Sequence, residues 1–396
     1  MDALVKTYQR LLQDTEMTYL RYLHGKIRWN NRLIGIVGAR GTGKTTLLLQ
    51  HIKQNFPERD KALYASLDNV WFATHTLSEL AEQFYNFGGT HLFLDEVHRY
   101  NGWAVEIKNI YDSYPKMHIV FTGSSLLEIY KQKADLSRRA VLHHLPGLSF
   151  REFLLFENKL DFEAISLNDI LKNHQNIAAK ICEKVKILPE FHNYLSYGYY
   201  PFYKEGTEDY HFKVQSVINL ILDNDLPAVE NIEYVTTQKI KKLLVIIANL
   251  TPYTPNITRL SNDIESNRKS TLIYLSFLHK AALLQMLSCP QKNMGAMSKP
   301  EKIYLENSNL LYALSETANI GNVRETFFAN QLSANYALNT AEQGDFKVED
   351  KFIFEIGGKS KTYEQIKNIE NSYIASDDLE IGFGNKIPLW LFGFLY

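Results

Sequence analysis

The sequence has few cysteines, almost no net charge and no long uninterrupted apolar run. Cys182 and Cys289 stand far apart, without a CxxC pair or a Cys/His spacing, so the sequence supports neither a disulfide framework nor a zinc site. A formal net charge of -1 argues against a protein covered by nucleic acid over its whole surface, although it leaves room for a local basic face.

Export and membrane signals are weak as well. Asp2, Lys6 and Arg10 interrupt the first apolar positions, so no signal-peptide core is expected. The most apolar stretch, residues 387–396, has about half of the roughly 20 residues that a membrane helix needs. Its Trp and Phe content predicts a buried strand instead. We therefore expect a cytoplasmic protein without membrane contact.

Short apolar runs alternate with helical segments between residues 32 and 147, after a helical lead-in over residues 1–31. This alternation predicts an α/β fold in which helices cover a parallel sheet. The predicted strands are 33–37, 62–67, 91–94, 118–122 and 140–145.

A phosphate-binding loop follows the first of these strands. Residues 38–45 match the pattern G-x-x-x-x-G-K-[ST] at every fixed position, and the amphipathic segment 44–55 follows them. Such a loop turns successive N–H groups and the positive end of a helix towards phosphates, with Lys44 reaching the β- and γ-phosphates of ATP and Thr45 binding Mg²⁺. The residues expected to hold the nucleotide are Gly38, Ala39, Arg40, Gly41, Thr42, Gly43, Lys44, Thr45 and Thr46.

Two carboxylates, Asp95 and Glu96, end the third predicted strand, where an open α/β sheet binds its ligand. We expect Asp95 to hold the Mg²⁺ shell through water and Glu96 to act as the general base on the attacking water. Residues 95–98 also spell the DExH box of some helicases. No other helicase motif has a workable spacing, so we interpret this box as coincidental.

Two further catalytic candidates come later in the core. Ser124 or Thr122, after the fourth predicted strand, could serve as a polar sensor between the γ-phosphate and the water; a helix cap at Ser124 is the alternative. Arg139, just before the fifth strand, is a candidate for completing the site of a neighbouring subunit, which implies a homo-oligomer. The alternative is a surface arginine pair formed with Arg138.

Together, the P-loop, the Leu-Asp-Glu strand, the Thr-Gly-Ser-Ser segment at 122–125 and residues 145–153 resemble a prokaryotic family of predicted AAA+ ATPases. Members of this family carry a C-terminal winged helix and a restriction-endonuclease-like domain. The resemblance covers nearly the whole chain and is specific over residues 1–155. It implies a P-loop ATPase core at 32–147, a helical lid at 148–232, a winged helix at 233–305 and a small α/β nuclease-like domain at 306–396.

A local basic face supports the winged-helix interpretation. Residues 236–280 contain seven Lys or Arg against two acids. Helices at 257–264 and 270–281 and a hairpin of 283–287 with 302–305 complete the predicted module. It could lay Arg268, Lys269, Thr271 and Tyr274 along duplex DNA. A lid or a dock for a protein partner is the alternative.

The last residues resemble a nuclease in the order of their acids. Glu325 lies in the apolar helix predicted at 323–338, and Asp345 and Glu355 lie in or near the strands that follow. In such nucleases an Asp and a Glu-x-Lys gather Mg²⁺ and a water. Here Gly357 occupies the lysine position, so Lys359 or Lys361 would have to reach back. We expect an inactive, structural version of the fold; a working Mg²⁺ nuclease is the alternative.

The sequence therefore predicts an AAA+ type switch that binds and hydrolyses ATP and is coupled to a DNA-associated winged helix. The alternative is a nucleotide-gated protein-interaction module without DNA or nuclease activity.

Overall fold

The computed structural model describes residues 1–58, 60–123, 136, 138–227, 232–250, 254–288, 299–315 and 317–396. The chain divides into two compact units, Met1–Gly147 and Leu148–Tyr396. Among the described residues, no helix combines the length and the apolar composition needed to cross a membrane.

The first unit is built on a five-stranded parallel sheet in the order β2-β3-β4-β1-β5. All five predicted strands are confirmed, and no strand end differs from the prediction by more than one residue. Every residue of β1 is buried, because helices on both faces of a parallel sheet leave no strand face for solvent. The strands are β1 Leu33–Val37, β2 Ala62–Ser66, β3 His91–Asp95, β4 His118–Gly123 and β5 Val141–His144.

Five helices cover the sheet of the first unit in the described part of the chain, and one of them begins at a local capping signal. This signal is the capping box of Thr76 and Glu79, which begins α4. The predicted helical lead-in is interrupted after Asp14, because Thr15 adopts an extended conformation. The helices are α1 Asp2–Asp14, α2 Tyr22–Lys26, α3 Lys44–Asn55, α4 Leu77–Asn86 and α5 Trp103–Ser113, with short 3-10 turns at Val70–Ala73 and Val97–Arg99.

The strand order determines where a site can form. Strand β4 lies between β1 and β3, so the carboxyl ends of these three strands are neighbours at one edge of the sheet. The loop after β1, Asp95 at the end of β3 and Thr122 in β4 all belong to that edge. A parallel sheet binds its ligands there.

The second unit combines helices with a mixed sheet in the order β12-β11-β10-β9-β8 and an antiparallel pair, β6 and β7. Its helices are α6 Phe150–Phe156, α7 Leu167–Cys182, α8 Ile187–Tyr197, α9 Tyr210–Leu220, α10 Tyr234–Leu250, α11 Ile257–Asp263, α12 Arg268–Lys280, α13 Ser308–Leu314 and α14 Ile320–Ser333. Its strands are β6 Leu284–Leu287, β7 Lys302–Leu305, β8 Leu338–Thr340, β9 Phe346–Val348, β10 Phe352–Gly357, β11 Ser372–Ser376 and β12 Lys386–Pro388.

The segment that the sequence predicts as a helical lid shares its core with the C-terminal residues. The rings of Phe150 in α6 and Phe394 lie 5.9 Å apart. The hydroxyl of Ser149 donates a 2.7 Å hydrogen bond to the carbonyl oxygen of Tyr396. These helices therefore pack within the second unit.

The predicted strand at residues 387–396 is wrong. Only β12 is extended there, and the chain continues as a 3-10 helix over Leu389–Phe394. Pro388 ends the strand because it has no N–H to donate to a further ladder bond. The predicted burial is confirmed, since every residue of this 3-10 helix is buried.

The candidate winged helix consists of α10, α11, α12 and the strands β6 and β7, which pair antiparallel as predicted. One predicted DNA contact is wrong. Thr271 is fully buried, and its hydroxyl donates to the carbonyl oxygen of Asn267 and lies 3.0 Å from the hydroxyl of Ser261. Arg268 and Lys269 are exposed at the start of α12.

Candidate functional site

The loop of residues 38–45 curls tightly between β1 and α3. Gly41 and Gly43 have φ angles of 83° and 90°, a region that side chains rarely adopt. A Cβ at Gly38 would lie 2.2 Å from the carbonyl oxygen of Leu145. The ammonium of Lys44 donates to the carbonyl oxygens of Gly38 and Ala39, at 3.0 and 2.7 Å. The predicted motif residues therefore form one compact loop at the N-terminus of α3.

Asp95 is the most strongly bound side chain of the site. Its Oδ2 accepts hydrogen bonds from the hydroxyls of Thr45, at 2.6 Å, and Tyr64, at 2.8 Å. Its Oδ1 accepts from the hydroxyl of Thr122 and, at 3.1 Å, from the N–H of Glu96. Asp95 is 2% exposed, so these four donors replace water around a buried carboxylate.

Glu96 has an unusual backbone conformation for a non-glycine residue, with φ 51° and ψ 41°. Its N–H donates to the hydroxyl of Thr122 at 3.2 Å as well as to Asp95. Its Oε2 lies 3.4 Å from Nε2 of His98, whose side chain is 3% exposed. The backbone bonds fix Glu96 at the strand end, directly beside Asp95, and its carboxylate lies close to the imidazole of His98.

Sequence analysis did not identify Tyr64. It lies in β2 opposite Phe93 of β3, so that Asp95, two residues further along β3, presents its side chain on the same face of the sheet. Burial, followed by the charge of Asp95, raises the pKa of Tyr64. The phenol is therefore a neutral hydrogen-bond donor. The sequence feature that could have pointed to Tyr64 is the alternation of side chains along the adjacent strands β2 and β3.

The remaining predicted residues divide into three groups. Thr122 is at the site, where it bonds Asp95. Ser124 lies outside the described residues. Arg139 precedes β5, so it lies at the opposite edge of the sheet, where its guanidinium donates to both carboxylate oxygens of Asp112 at 3.0 and 2.9 Å. The fold therefore does not bring Arg139 to the loop of its own unit.

A second cluster of charged groups lies in the second unit. Lys302 in β7 lies 3.6 Å from Glu325 and 3.3 Å from Asp345, and Lys361 lies 2.5 Å from Glu355. Lys361, rather than Lys359, is therefore the lysine that reaches back to Glu355.

Each carboxylate of this cluster has a partner within the protein. Tyr304 donates to Glu325 at 2.9 Å, and the N–H of Ile356 donates to Asp345 at 2.8 Å. Burial, followed by the charge of Asp345, raises the pKa of Glu325. Burial also raises the pKa of Glu355, although Lys361 acts in the opposite direction. The cluster thus combines three acids with two lysines.

Comparison with known families and sequences gives three matches. Residues 30–154 match a family model described as an AAA domain, and residues 188–321 match one described as a domain of unknown function (DUF8612). The uncharacterized protein MJ1637 of Methanocaldococcus jannaschii is 29% identical over 266 residues. These residues span 64% of this chain and 56% of that protein.

Two solved structures have distant overall similarity to the chain. The Walker-type ATPase PABY2304 of Pyrococcus abyssi has a TM-score of 0.40 and 13% identity, over 72% of this chain and 91% of that chain. AMPPCP-bound DnaA of Aquifex aeolicus has a TM-score of 0.27 and 13% identity, over 70% and 88%. Such low scores do not define a common fold for the whole chain.

The family match and the parallel five-stranded sheet agree on the same part of the chain. The phosphate-binding pattern, the strand ending in Asp95 and the buried contacts between them all fall inside the matched residues. Residues 30–154 therefore match an AAA domain in sequence and carry a five-stranded parallel sheet that fits a P-loop ATPase core, which supports nucleotide binding.

Proposed function

We propose that the protein is an AAA+ type switch that binds and hydrolyses ATP. The contact that carries this proposal is the 2.6 Å hydrogen bond between Thr45 and Asp95. This bond joins the hydroxyl of Thr45, the residue that follows Lys44, to Asp95 at the end of β3. Glu96 follows at once along the chain, so the groups for phosphate, cation and water are adjacent.

The residues present fit a Mg²⁺ ion. Thr45 Oγ1 and Asp95 Oδ2 are oxygen donors already in contact, and oxygen is the ligand that Mg²⁺ prefers in proteins. When bound with ATP, the cation would neutralise charge on the β- and γ-phosphates. Lys44 would exchange its two loop carbonyls for phosphate oxygens, and the loop N–H groups would surround the same phosphates.

Glu96 would take the proton from the attacking water. A carboxylate can do so when it is held within hydrogen-bond reach of the nucleophile. The bonds of its own N–H to Asp95 and Thr122 hold the backbone of Glu96 at the end of β3. In this proposal Thr122 holds the end of β3 in place, because its hydroxyl bonds both Asp95 and Glu96.

Steady-state ATP turnover of wild type and Glu96→Gln tests the base. Glu96→Gln keeps the shape of the side chain and should bind ATP with wild-type affinity, but lose about 100-fold or more in turnover. Glu82→Gln, an exposed acid on α4, is the matched control and should be fully active. A fully active Glu96→Gln protein removes Glu96 from this role.

The switch is proposed to act on duplex DNA through α12. Arg268 and Lys269 are exposed and available for phosphates, whereas Lys241 is paired with Asp223 at 2.7 Å. DNA should accelerate ATP turnover if DNA prefers one nucleotide state. The stimulation should weaken with salt, by about 0.9 log units of affinity per phosphate contact for each log unit of salt.

The double variant Arg268→Ala/Lys269→Ala should lose this stimulation while keeping basal turnover. Lys184→Ala/Lys186→Ala removes the same charge from another exposed part of the second unit and should retain it. If turnover depends on Glu96 but does not respond to DNA, the alternative holds, and the module is a dock for a protein partner.

Arg139 is proposed to serve a neighbouring subunit, if the protein assembles. Its side chain is 29% exposed and paired with Asp112, so it could exchange this partner at an interface. Arg139→Ala should then lower ATP turnover at protein concentrations at which the wild type assembles. Arg138→Ala, at an exposed position, should not lower it. Equal turnover of Arg139→Ala and wild type at all protein concentrations would remove this role.

The charged cluster of the second unit is proposed to stabilise the fold without nuclease activity. Two lysines compensate most of the charge of Glu325, Asp345 and Glu355, and a cation would have to displace them. Gly357 takes the usual lysine position of the motif. With Mg²⁺ or Mn²⁺, wild type should cleave supercoiled and linear DNA no faster than Glu355→Ala. Cleavage that Glu355→Ala abolishes would establish a nuclease.

A further inference from the structure

Arg21 is a buried arginine at the start of α2, and only 5% of its surface is exposed. Its guanidinium joins two parts of the first unit. Nη1 donates to the carbonyl oxygen of Thr42 in the phosphate loop. Nη2 donates to the carbonyl oxygens of Pro146, at 2.8 Å, and Gly147, at 2.9 Å.

The bond to Thr42 affects the surface that phosphates would meet. A trans peptide unit is planar, so the carbonyl of Thr42 and the N–H of Gly43 point in opposite directions. Holding the carbonyl on the side of Arg21 therefore fixes the Gly43 N–H on the other side. Gly43 is the N-cap of α3, where backbone N–H groups and the helix dipole attract anions.

The other two bonds hold the last residues of the first unit. Residues 145–147 already lie against the loop, because the N–H of Leu145 donates to the carbonyl oxygen of Val37 at 2.8 Å. The carbonyl oxygen of Leu145 is so close to Gly38 that no side chain fits there. A movement of the loop would therefore shift the backbone of residues 145–147, which Arg21 also binds. The chain enters the second unit at Leu148, the next residue.

We propose that Arg21 is a positioning residue that directs the loop N–H groups towards the nucleotide and reports the state of the loop to residues 145–147. Phosphate bound at the loop would shift the Thr42 peptide, and the guanidinium would pass that shift to the carbonyls of Pro146 and Gly147. The proposal rests on the proposed function, because it requires ATP at this loop.

Two measurements on the full chain test it. The first is the affinity for ATP and ADP, by calorimetry in the presence of Mg²⁺. The second is amide hydrogen exchange of residues 145–149 with and without each nucleotide. Arg21→Gln should weaken ATP binding about tenfold, as expected when a charge-assisted bond that orders a binding loop is lost. At saturating ATP, the nucleotide-dependent change in exchange at 145–149 should disappear.

Arg32 offers a matched control in the same unit. Its guanidinium also donates to two carbonyl oxygens, those of Tyr111 and Tyr114 at 2.7 and 3.1 Å, but it precedes β1 and lies at the opposite edge of the sheet. Arg32→Gln should keep ATP affinity within about twofold and retain the exchange response.

Arg21→Lys covers the case in which Arg21→Gln fails to fold. It keeps the positive charge but lacks the fork that spans Thr42 and residues 146–147. Arg21→Lys should fold and lose the exchange response. If Arg21→Lys, or a folded Arg21→Gln, keeps both wild-type affinity and the wild-type response, the proposal is overturned, even if the melting temperature falls. If wild type itself does not bind ATP, it is the proposed function that fails.

Discussion

Thr45 donates a 2.6 Å hydrogen bond to Asp95, although 50 residues separate them in the chain. Thr45 is in the first turn of α3, and Asp95 is the last residue of β3. Both residues are thus fixed on rigid elements, and their oxygens are in place before any ligand arrives. A site organised in this way loses little order when it binds a cation and phosphates.

Lys44 is the residue whose loss should affect nucleotide binding most. Lys44→Ala removes the ammonium that now bonds Gly38 and Ala39 and would bond the phosphates, so ATP affinity should fall at least about 100-fold. Binding is measured by calorimetry. Lys53→Ala, at the other end of α3, removes the same charge and should bind ATP normally. Unchanged affinity in Lys44→Ala would refute the site.

Tyr64→Phe removes one of the four donors to Asp95 and nothing else. A hydrogen bond to a buried charged group contributes about 1.5 to 3 kcal/mol, so the free energy of unfolding should fall by about that amount. Chemical denaturation measures the change. Tyr85→Phe on α4 deletes a hydroxyl from the same unit and should leave stability within about 0.5 kcal/mol. Equal losses in the two variants would contradict the contact.

The histidines near the start of β3 should make the first unit sensitive to acid. Burial, followed by the neighbouring His24 and His91, lowers the pKa of His51 to about 3, and burial lowers that of His91 to about 4. Both values lie below the unfolded value near 6.5. The unfolded chain therefore binds more protons, and stability present above about pH 6.5 is lost as the pH falls towards 4.

Between pH 7 and pH 5 the first unit should lose about 1 to 2 kcal/mol of stability, measured by denaturation at each pH. His51 stacks on Trp29 with centroids 3.6 Å apart, so His51→Phe keeps the stack and should reduce the loss. His75 stacks on Trp71 in the same way but is exposed, and His75→Phe should leave the loss unchanged. An equal loss of stability between pH 7 and pH 5 in wild type, His51→Phe and His75→Phe would exclude His51 as the source of the loss.

Lys302 should stabilise the second unit through its two carboxylates. Lys302→Met keeps the aliphatic stem but leaves Glu325 and Asp345 facing one another in a partly buried site, which should cost about 1 to 3 kcal/mol. Urea unfolding combined with hydrogen exchange of β9 and β10 measures the loss. Lys347→Met breaks only the exposed pair with Asp350 and should change stability by less than about 1 kcal/mol.

The nucleotide domain was predictable from the sequence because its signals are local. Each buried strand of the first sheet is a short apolar run, and the loop motif needs only eight consecutive residues in a strand–loop–helix context. The same locality predicted the β6–β7 hairpin. It also explains why Lys44, Thr45 and Asp95 could be predicted to lie together, since strand ends of a parallel sheet meet at one edge.

Residues that act through distant contacts were missed. Arg21 reaches Pro146 across 125 residues, and nothing in the sequence around it indicates this. Thr271 follows exposed Arg268 and Lys269 in the helix, but the rotation of α12 turns it inward. Likewise, the choice of Lys361 over Lys359 depends on the path of the turn after β10 rather than on spacing from Glu355.

The strand order also has a consequence for synthesis on the ribosome. Within the described part of the chain, β1 pairs with β4 and β5, whereas β2 and β3 pair with each other. When residues 33–45 emerge, the strand before the phosphate loop therefore has no neighbour, and it gains one only when residues 118–144 have been made. We therefore expect the strand before the loop to join the sheet late in synthesis, when β4 connects β1 to the β2–β3 pair.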